Sequence, residues 1–254
     1  MSDKVEGIAF KLGDKMYTFS YTDDIKKLEK DILDCQFRLS MVSRGGIIAE
    51  ACANANISNY EITQERAAQL YEEGCSISFN NVRAECVVTG YYDAVKMLQL
   101  HDELTEEVLI NAWRCLTAGC NNNIELDGDK YRNGNLVDSI RGFEYTELES
   151  VMKDFIKYYN MEVSCDEVLS RAVLLSWLFE RISPFSDGNA RMSRLLIYDF
   201  CVRHGCYFIT DYPITKTLLE VKKEYKAALC NNPITPNSND YVRFMLDVIY
   251  KTVN

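Results

Sequence analysis

The amino-acid sequence predicts an all-α bundle that opens with a small β-hairpin, and three observations point there. Apolar residues recur at helical spacing through most of the chain; between Glu167 and Arg181 they fall at Val168, Leu169, Ala172, Val173, Leu175, Leu178 and Phe179. Start and stop signals bracket such runs, with Thr63, Thr105 and Thr146 at beginnings and Gly74, Gly119 and Gly205 at ends. β-favouring residues gather mainly near the N-terminus. The 254 residues, 47% of them hydrophobic, suffice for one large domain with a sizeable core. The expected division is a hairpin extension over 1–24 and a helical domain over 25–254.

Taken in order, Ile8 to Leu12 and Met16 to Tyr21 flank the turn Gly13-Asp14-Lys15 and predict the hairpin. Asp23 or Asp24 caps a helix to about Met41, Gly45-Gly46 interrupts it, and a shorter helical piece runs from Ile47 to about Asn56. Thr63, with Glu65 in the first turn, starts a helix that Gly74 closes. Val82 to Leu100 is another, with a kink expected at Thr89-Gly90. Thr105-Glu106-Glu107 starts a helix carrying Val108, Leu109, Ala112, Trp113 and Leu116. Cys120 to Phe143 has no helical period and three dense turn signals, Asn121-Asn122-Asn123, Asp127-Gly128-Asp129 and Asn133-Gly134-Asn135. So long a loop in a compact helical domain is usually functional or mobile. Thr146 opens a helix with Leu148, Val151, Met152, Phe155 and Ile156 on one face, and Ser164 or Asp166 caps the one that follows. Leu195, Leu196, Ile197, Phe200 and Val202 form a further run, Thr215 to Cys230 another, Pro233 and Pro236 enforce a loop, and Asp240 to Val253 is the last helix.

Composition narrows the function. The formal net charge is -10 and no block of lysine or arginine runs along a helix, which argues against a nucleic-acid partner. The ten cysteines are scattered without a Cys-x-x-Cys pair, and with two histidines a zinc site is not expected. They read as small hydrophobes in a reducing compartment. His101, beside Asp102-Glu103 and with no second ligand, reads as a surface residue. No apolar run is long enough to span a bilayer and no signal-peptide pattern is present, so a cytoplasmic protein without a membrane partner is expected.

Between the two most apolar helical runs lies Ile182-Ser183-Pro184-Phe185-Ser186-Asp187-Gly188-Asn189-Ala190-Arg191-Met192-Ser193-Arg194. A turn that opens a helix presents free backbone N–H groups and the positive end of the macrodipole. Arg191 and Arg194, three residues apart, share one helix face. With one carboxylate, Asp187, the loop suits a polyphosphate and a bound metal. An ordinary helix connector is the plainer reading of the same residues.

The stretch resembles the signature of the Fic family, His-Pro-Phe-x-(Asp/Glu)-Gly-Asn-Gly-Arg-x-x-Arg. Pro184, Phe185, Asp187, Gly188, Asn189, Arg191 and Arg194 match it; Ser183 stands at the histidine and Ala190 at the last glycine. The resemblance extends roughly from residue 30 to the C-terminus and implies a Fic-type helical bundle with a short β-hairpin flap. It implies transfer of AMP from ATP to a protein hydroxyl, with Mg²⁺ on Asp187, an α-phosphate anion hole at Gly188, Asn189 and Ala190, and Arg191 and Arg194 on the outer phosphates. Proton abstraction belongs to the family histidine, at Ser183 here, so transfer is expected to be weak or absent while ATP binding persists. A serine hydroxyl is not a base near neutral pH. The alternatives are a pseudoenzyme that binds nucleotide or a partner, and a transferase with a different donor.

Two further segments follow from the resemblance. Asn54-Ala55-Asn56-Ile57-Ser58-Asn59 takes the register of the inhibitory pattern (Ser/Thr)-x-x-x-Glu-(Gly/Asn) within a segment over about 47–59, with Asn54 at the first position, Ser58 replacing the glutamate and Asn59 fitting. The segment is expected to survive as packing while the brake is gone. Tyr131-Arg132 resembles the pair preceding the flap, and Leu136, Val137, Asp138, Ser139 and Ile140 are its expected target-docking edge. Partners so implied are ATP and an unidentified protein target, with self-modification possible.

Overall fold

The computed structural model describes residues 6–35, 45–74, 80–136, 143–230 and 238–254. It is 69% helical with one small antiparallel sheet, so the all-α expectation holds. Strands β1 (Glu6–Leu12) and β2 (Lys15–Tyr21) pair across a turn in which Gly13 takes a φ of 57°. The helices are α1 (Asp23–Cys35), α2 (Gly45–Ile57), α3 (Gln64–Glu73), α4 (Val82–Gln99), α5 (Glu106–Thr117), α6 (Leu148–Tyr159), α7 (Val168–Ile182), α8 (Asn189–Arg203), α9 (Ile214–Glu220), α10 (Lys222–Cys230) and α11 (Asn239–Val253).

Helix α7 is the axis of the packing. Every residue from Val168 to Ile182 is buried, the pattern of a helix surrounded by others. Helices α6, α8 and α11 pack around it. The hairpin is fastened to this body. Phe10, Leu12 and Phe19 join the central apolar cluster, the Lys11 N–H donates to the Tyr158 hydroxyl at 3.0 Å, and the Gly13 N–H donates to Asp154 Oδ2 at 3.0 Å. Behind it, the fully buried Glu29 of α1 accepts from the Tyr21 and Ser170 hydroxyls and from the backbone N–H of Leu169 and Ser170.

Several boundaries differ from expectation for definite reasons. Gly45-Gly46 begins α2 instead of interrupting a helix; a side chain at Gly46 would run into the Thr210 carbonyl. Helix α4 runs unbroken through Thr89-Gly90, as the expected helix did, and a Cβ at Gly90 would collide with the Cys115 carbonyl of α5. Both glycines therefore allow close helix contact. The helix expected from Thr215 to Cys230 is divided into α9 and α10 at Val221. A 3₁₀ turn over Tyr145–Glu147, held by a Glu144–Glu147 capping box, precedes α6. Thr63 and Thr105 do cap α3 and α5, accepting from Arg66 N and Val108 N. The expected continuation of α1 to Met41 and the expected flap edge Val137, Asp138, Ser139 and Ile140 lie outside the described residues, as do Pro233 and Pro236.

Candidate active site

The loop between α7 and α8 is held from below by aromatic packing and from the side by buried hydrogen bonds. Phe185 is completely buried and stacks on Trp113 of α5, with ring centroids 4.4 Å apart and planes 6° from parallel. The Trp113 indole N–H donates to the Asp187 carbonyl at 2.8 Å. The Asn189 side chain bridges the turn, donating to the Phe185 carbonyl at 2.8 Å and accepting from the Phe185 N–H at 3.0 Å. Arg132, 2% exposed, donates to the Ser183, Gly134 and Phe143 carbonyls, each at 2.8 Å, and its own N–H bonds the Pro184 carbonyl. One guanidinium thus ties the site loop to both ends of the stretch that precedes α6.

Gly188, with φ 77°, turns the chain into α8. An ideal Cβ there would lie 2.6 Å from Thr117 Cγ2, so both conformation and space call for glycine. The first main-chain bond of α8 runs from Met192 N–H to the Gly188 carbonyl, which leaves the N–H groups of Asn189, Ala190 and Arg191 at the helix opening. Ala190 is helical and exposed, so alanine is unstrained there.

These groups border a cavity of about 530 Å³. Ser183, Asp187, Gly188, Asn189, Ala190 and Arg191 all line it, together with Ser58, Tyr60, Leu136 and Glu180. The Asp187 carboxylate accepts from the Gly188 N–H at 2.6 Å and from the backbone and side chain of Asn122 at 3.0 and 3.1 Å. Arg191 reaches the Leu116 carbonyl at 3.2 Å and the Cys120 sulfur at 3.0 Å, lies 3.6 Å from Asp187 Oδ2, and sits over the Tyr60 ring.

Arg194 behaves differently. It does not line the cavity; it is 3% exposed and its Nε donates to Asn54 Oδ1 of α2 at 2.8 Å. Its Nη2 makes no hydrogen bond among the described residues. Asn54 in turn donates to Glu50 Oε1 at 2.9 Å, and Glu50 also accepts from Thr215. Burial pushes the Glu50 carboxyl up; the hydrogen bonds from Thr215 and, less, the nearby Arg194 charge draw it partly back. The structure therefore brings Ser58 to the cavity and Asn54 to Arg194, while Asn59, in a left-handed conformation, accepts from Lys222 at 2.8 Å.

Ser183 ends α7 in a left-handed conformation, φ 43°, and its hydroxyl donates to the Glu180 carbonyl at 2.6 Å. Neither His101 nor His204 borders the cavity. Magnesium takes one or two protein carboxylates plus substrate phosphates. Asp187, a partly exposed carboxylate beside N–H groups and Arg191, fits that requirement. No cluster of three or more metal-binding side chains occurs among the described residues. The described cysteines are all free, and no helix among the described residues is long and apolar enough to cross a membrane.

Sequence reasoning left out Glu180, Trp113 and Tyr60 as site residues. Glu180 lies three residues before Ser183, a helical spacing that could have placed it on the same end of α7. Trp113 and Tyr60 come from distant elements and carry no local signal.

Against known proteins, residues 91–201 match the model of the Fic/DOC family, so the segment that builds this cavity floor and loop is a Fic/DOC segment. Solved structures extend the likeness in fold to nearly the whole chain. A Fic family protein from Desulfovibrio desulfuricans shares 20% identity over 91% of this chain and 73% of its own, with a TM-score of 0.75. Fic-1 from C. elegans shares 17% over 91% and 71%, with a TM-score of 0.69. A Fic domain containing signaling protein from Bacteroides thetaiotaomicron shares 17% over 91% and 95%, with a TM-score of 0.63. No curated protein matches the sequence. The Fic/DOC match thus covers residues 91–201, and beyond it the likeness to Fic proteins is one of fold.

Proposed function

We propose that the cavity binds ATP with Mg²⁺ and that the protein is an AMP transferase acting on a protein hydroxyl, slowed by the absence of a histidine at position 183. The observation that carries this reading is the convergence of Asp187, the open N–H groups of α8 and Arg191 on one cavity. Asp187 would hold Mg²⁺, which supplies charge neutralisation between the phosphates. The N–H groups at the α8 opening would receive the α-phosphate, where charge grows as the hydroxyl attacks. Arg191, anchored on Leu116 and Cys120, offers a fixed cation to an outer phosphate. Arg194 would have to leave Asn54 to serve the same end. The neighbouring loop, through Leu136, would present the target.

A second reading, a nucleotide-binding regulator without transfer, is favoured by one contact: the Ser183 hydroxyl is turned back onto the α7 backbone. Titration calorimetry with ATP and Mg²⁺ tests the shared premise. Binding is expected in the native protein and is expected to lose its magnesium dependence in Asp187→Asn; absence of heat with the native protein would overturn it. Release of pyrophosphate then separates transferase from regulator.

A further inference from the structure

The cavity has lost its histidine but has kept a carboxylate where a proton could go. Glu180 sits on the last turn of α7, one turn before Ser183, and residues three apart on a helix share a face. It lines the same cavity as Asp187 to Arg191 yet is only 6% exposed. Its orientation is fixed from the neighbouring helix, because the Ser193 hydroxyl donates to Glu180 Oε1 at 2.7 Å. Around it stand Ser193 of α8 and the hydroxyls of Tyr225 on α10 and Tyr241 on α11, both of which feel its charge. Asp187 and Arg191 line the same cavity.

Other groups that border the cavity have their own tasks or positions. The Asp187 oxygens receive Gly188 and both donors of Asn122. Glu125 lies on the exposed rim. The Tyr60 hydroxyl accepts from Asn122 and donates to the Cys120 carbonyl. Ser183 donates to a carbonyl and titrates far from neutrality.

On the reading that this cavity binds ATP, we propose that Glu180 is the general base of the reaction, standing in for the missing imidazole. As the acceptor hydroxyl oxygen bonds to the α-phosphorus, its proton passes to a Glu180 carboxylate oxygen. The bond from the α-phosphorus to the bridging oxygen breaks, and pyrophosphate leaves with that electron pair. Glu180 then returns the proton to solvent or to the departing pyrophosphate, and the carboxylate is restored.

The test uses the full chain and two readouts: calorimetry with ATP and Mg²⁺, and pyrophosphate release with water or the protein's own hydroxyls as acceptor. Glu180→Gln keeps the size and an oxygen for Ser193. It is expected to bind ATP at least as tightly as the native protein and to release pyrophosphate at least about 100-fold more slowly, the usual range for a lost general base. The native rate is expected to fall on acidification with a single ionisation that the glutamine variant lacks. Adding Ser183→His to Glu180→Gln is expected to restore release, which repair of a merely structural defect would not achieve. If Glu180→Gln binds ATP and releases pyrophosphate at the native rate, or if it loses ATP binding as well, the base role is wrong. Native protein that binds ATP without measurable release also overturns it. Native protein that binds no ATP overturns the parent reading and the base role together, a result calorimetry alone identifies.

Discussion

Glu29 makes the stability of this protein depend on pH in a direction opposite to the usual carboxylate. It is fully buried where β2, α1 and α7 meet, and burial pushes its carboxyl from 4.5 up to about 7, against the pull of the hydrogen bonds it accepts. The folded protein therefore holds the proton more tightly than the unfolded chain does. The stabilising contribution is complete below about pH 4.5 and is lost as pH rises through about 7. At about 1.4 kcal/mol per pH unit, that interval corresponds to something on the order of 3 kcal/mol. Glu29→Gln isolates the effect. Its amide oxygen can accept from the Leu169 and Ser170 N–H groups, and its amide nitrogen can donate to the Tyr21 and Ser170 hydroxyls, which rotate to accept. Urea unfolding of both proteins at pH 4.5 and pH 8 should show the variant gaining on the native protein by roughly 3 kcal/mol across that interval. Comparison of the two proteins cancels the self-repulsion of a chain with net charge -10. A difference that stays constant between the two pH values would refute the argument.

Two further outcomes concern the site loop. Ser183→His should raise pyrophosphate release, by less than the about 10²–10⁴-fold of a full general base because Glu180 already accepts the proton, since histidine tolerates the left-handed backbone at this position better than most residues; an unchanged rate would mean that proton abstraction is not what limits the reaction. Gly188→Ala should destabilise the fold by roughly 1–2 kcal/mol from the left-handed conformation alone, and by more because of the contact with Thr117, measured as a lowered denaturation midpoint with weakened ATP binding; a variant as stable as the native protein would show that the turn can rearrange.

Local signals carried the helices and the site loop, and failed where the answer depended on what lies across from a residue. Thr63 and Thr105 were legible because a cap bonds its own helix. Gly46 was misread as a break, and the packing role of Gly90 was missed, because their reasons lie in the Thr210 and Cys115 carbonyls of other segments. The same holds at the site. Asp187, Gly188, Asn189, Ala190 and Arg191 form one contiguous run, and they border one cavity. The i,i+3 spacing of Arg191 and Arg194 suggested a shared task, yet the two point to different neighbours, because α2 places Asn54 against the second. Asn189 shows a related gap: its side chain closes the turn on Phe185, a role that sequence alone could not separate from its backbone N–H.

Position 58 decides how a charge on α2 would act on this cavity. Among the described residues the wall already carries Asp187 and Glu180, with Glu125 at the rim, against one cation, Arg191, because Arg194 is held outside by Asn54. The described wall is therefore already negative, so an incoming triphosphate relies on Arg191, the α8 N–H groups and Mg²⁺, and Ser58, half-buried on the cavity wall, is neutral and adds no further repulsion. Ser58→Glu would add a carboxylate to a partly desolvated wall. Charges a few ångströms apart near a protein surface interact by about 1–4 kcal/mol, so ATP affinity should fall by tenfold or more. The loss should shrink at high salt only slightly, since a partly buried pair is weakly screened. Thermal stability should change little, because the side chain can extend into the open cavity. Calorimetry with ATP and Mg²⁺ reads the affinity directly. If Ser58→Glu bound ATP as tightly as the native protein, the phosphates would have to lie away from α2, and the neutrality of Ser58 would not be what keeps the cavity open to nucleotide.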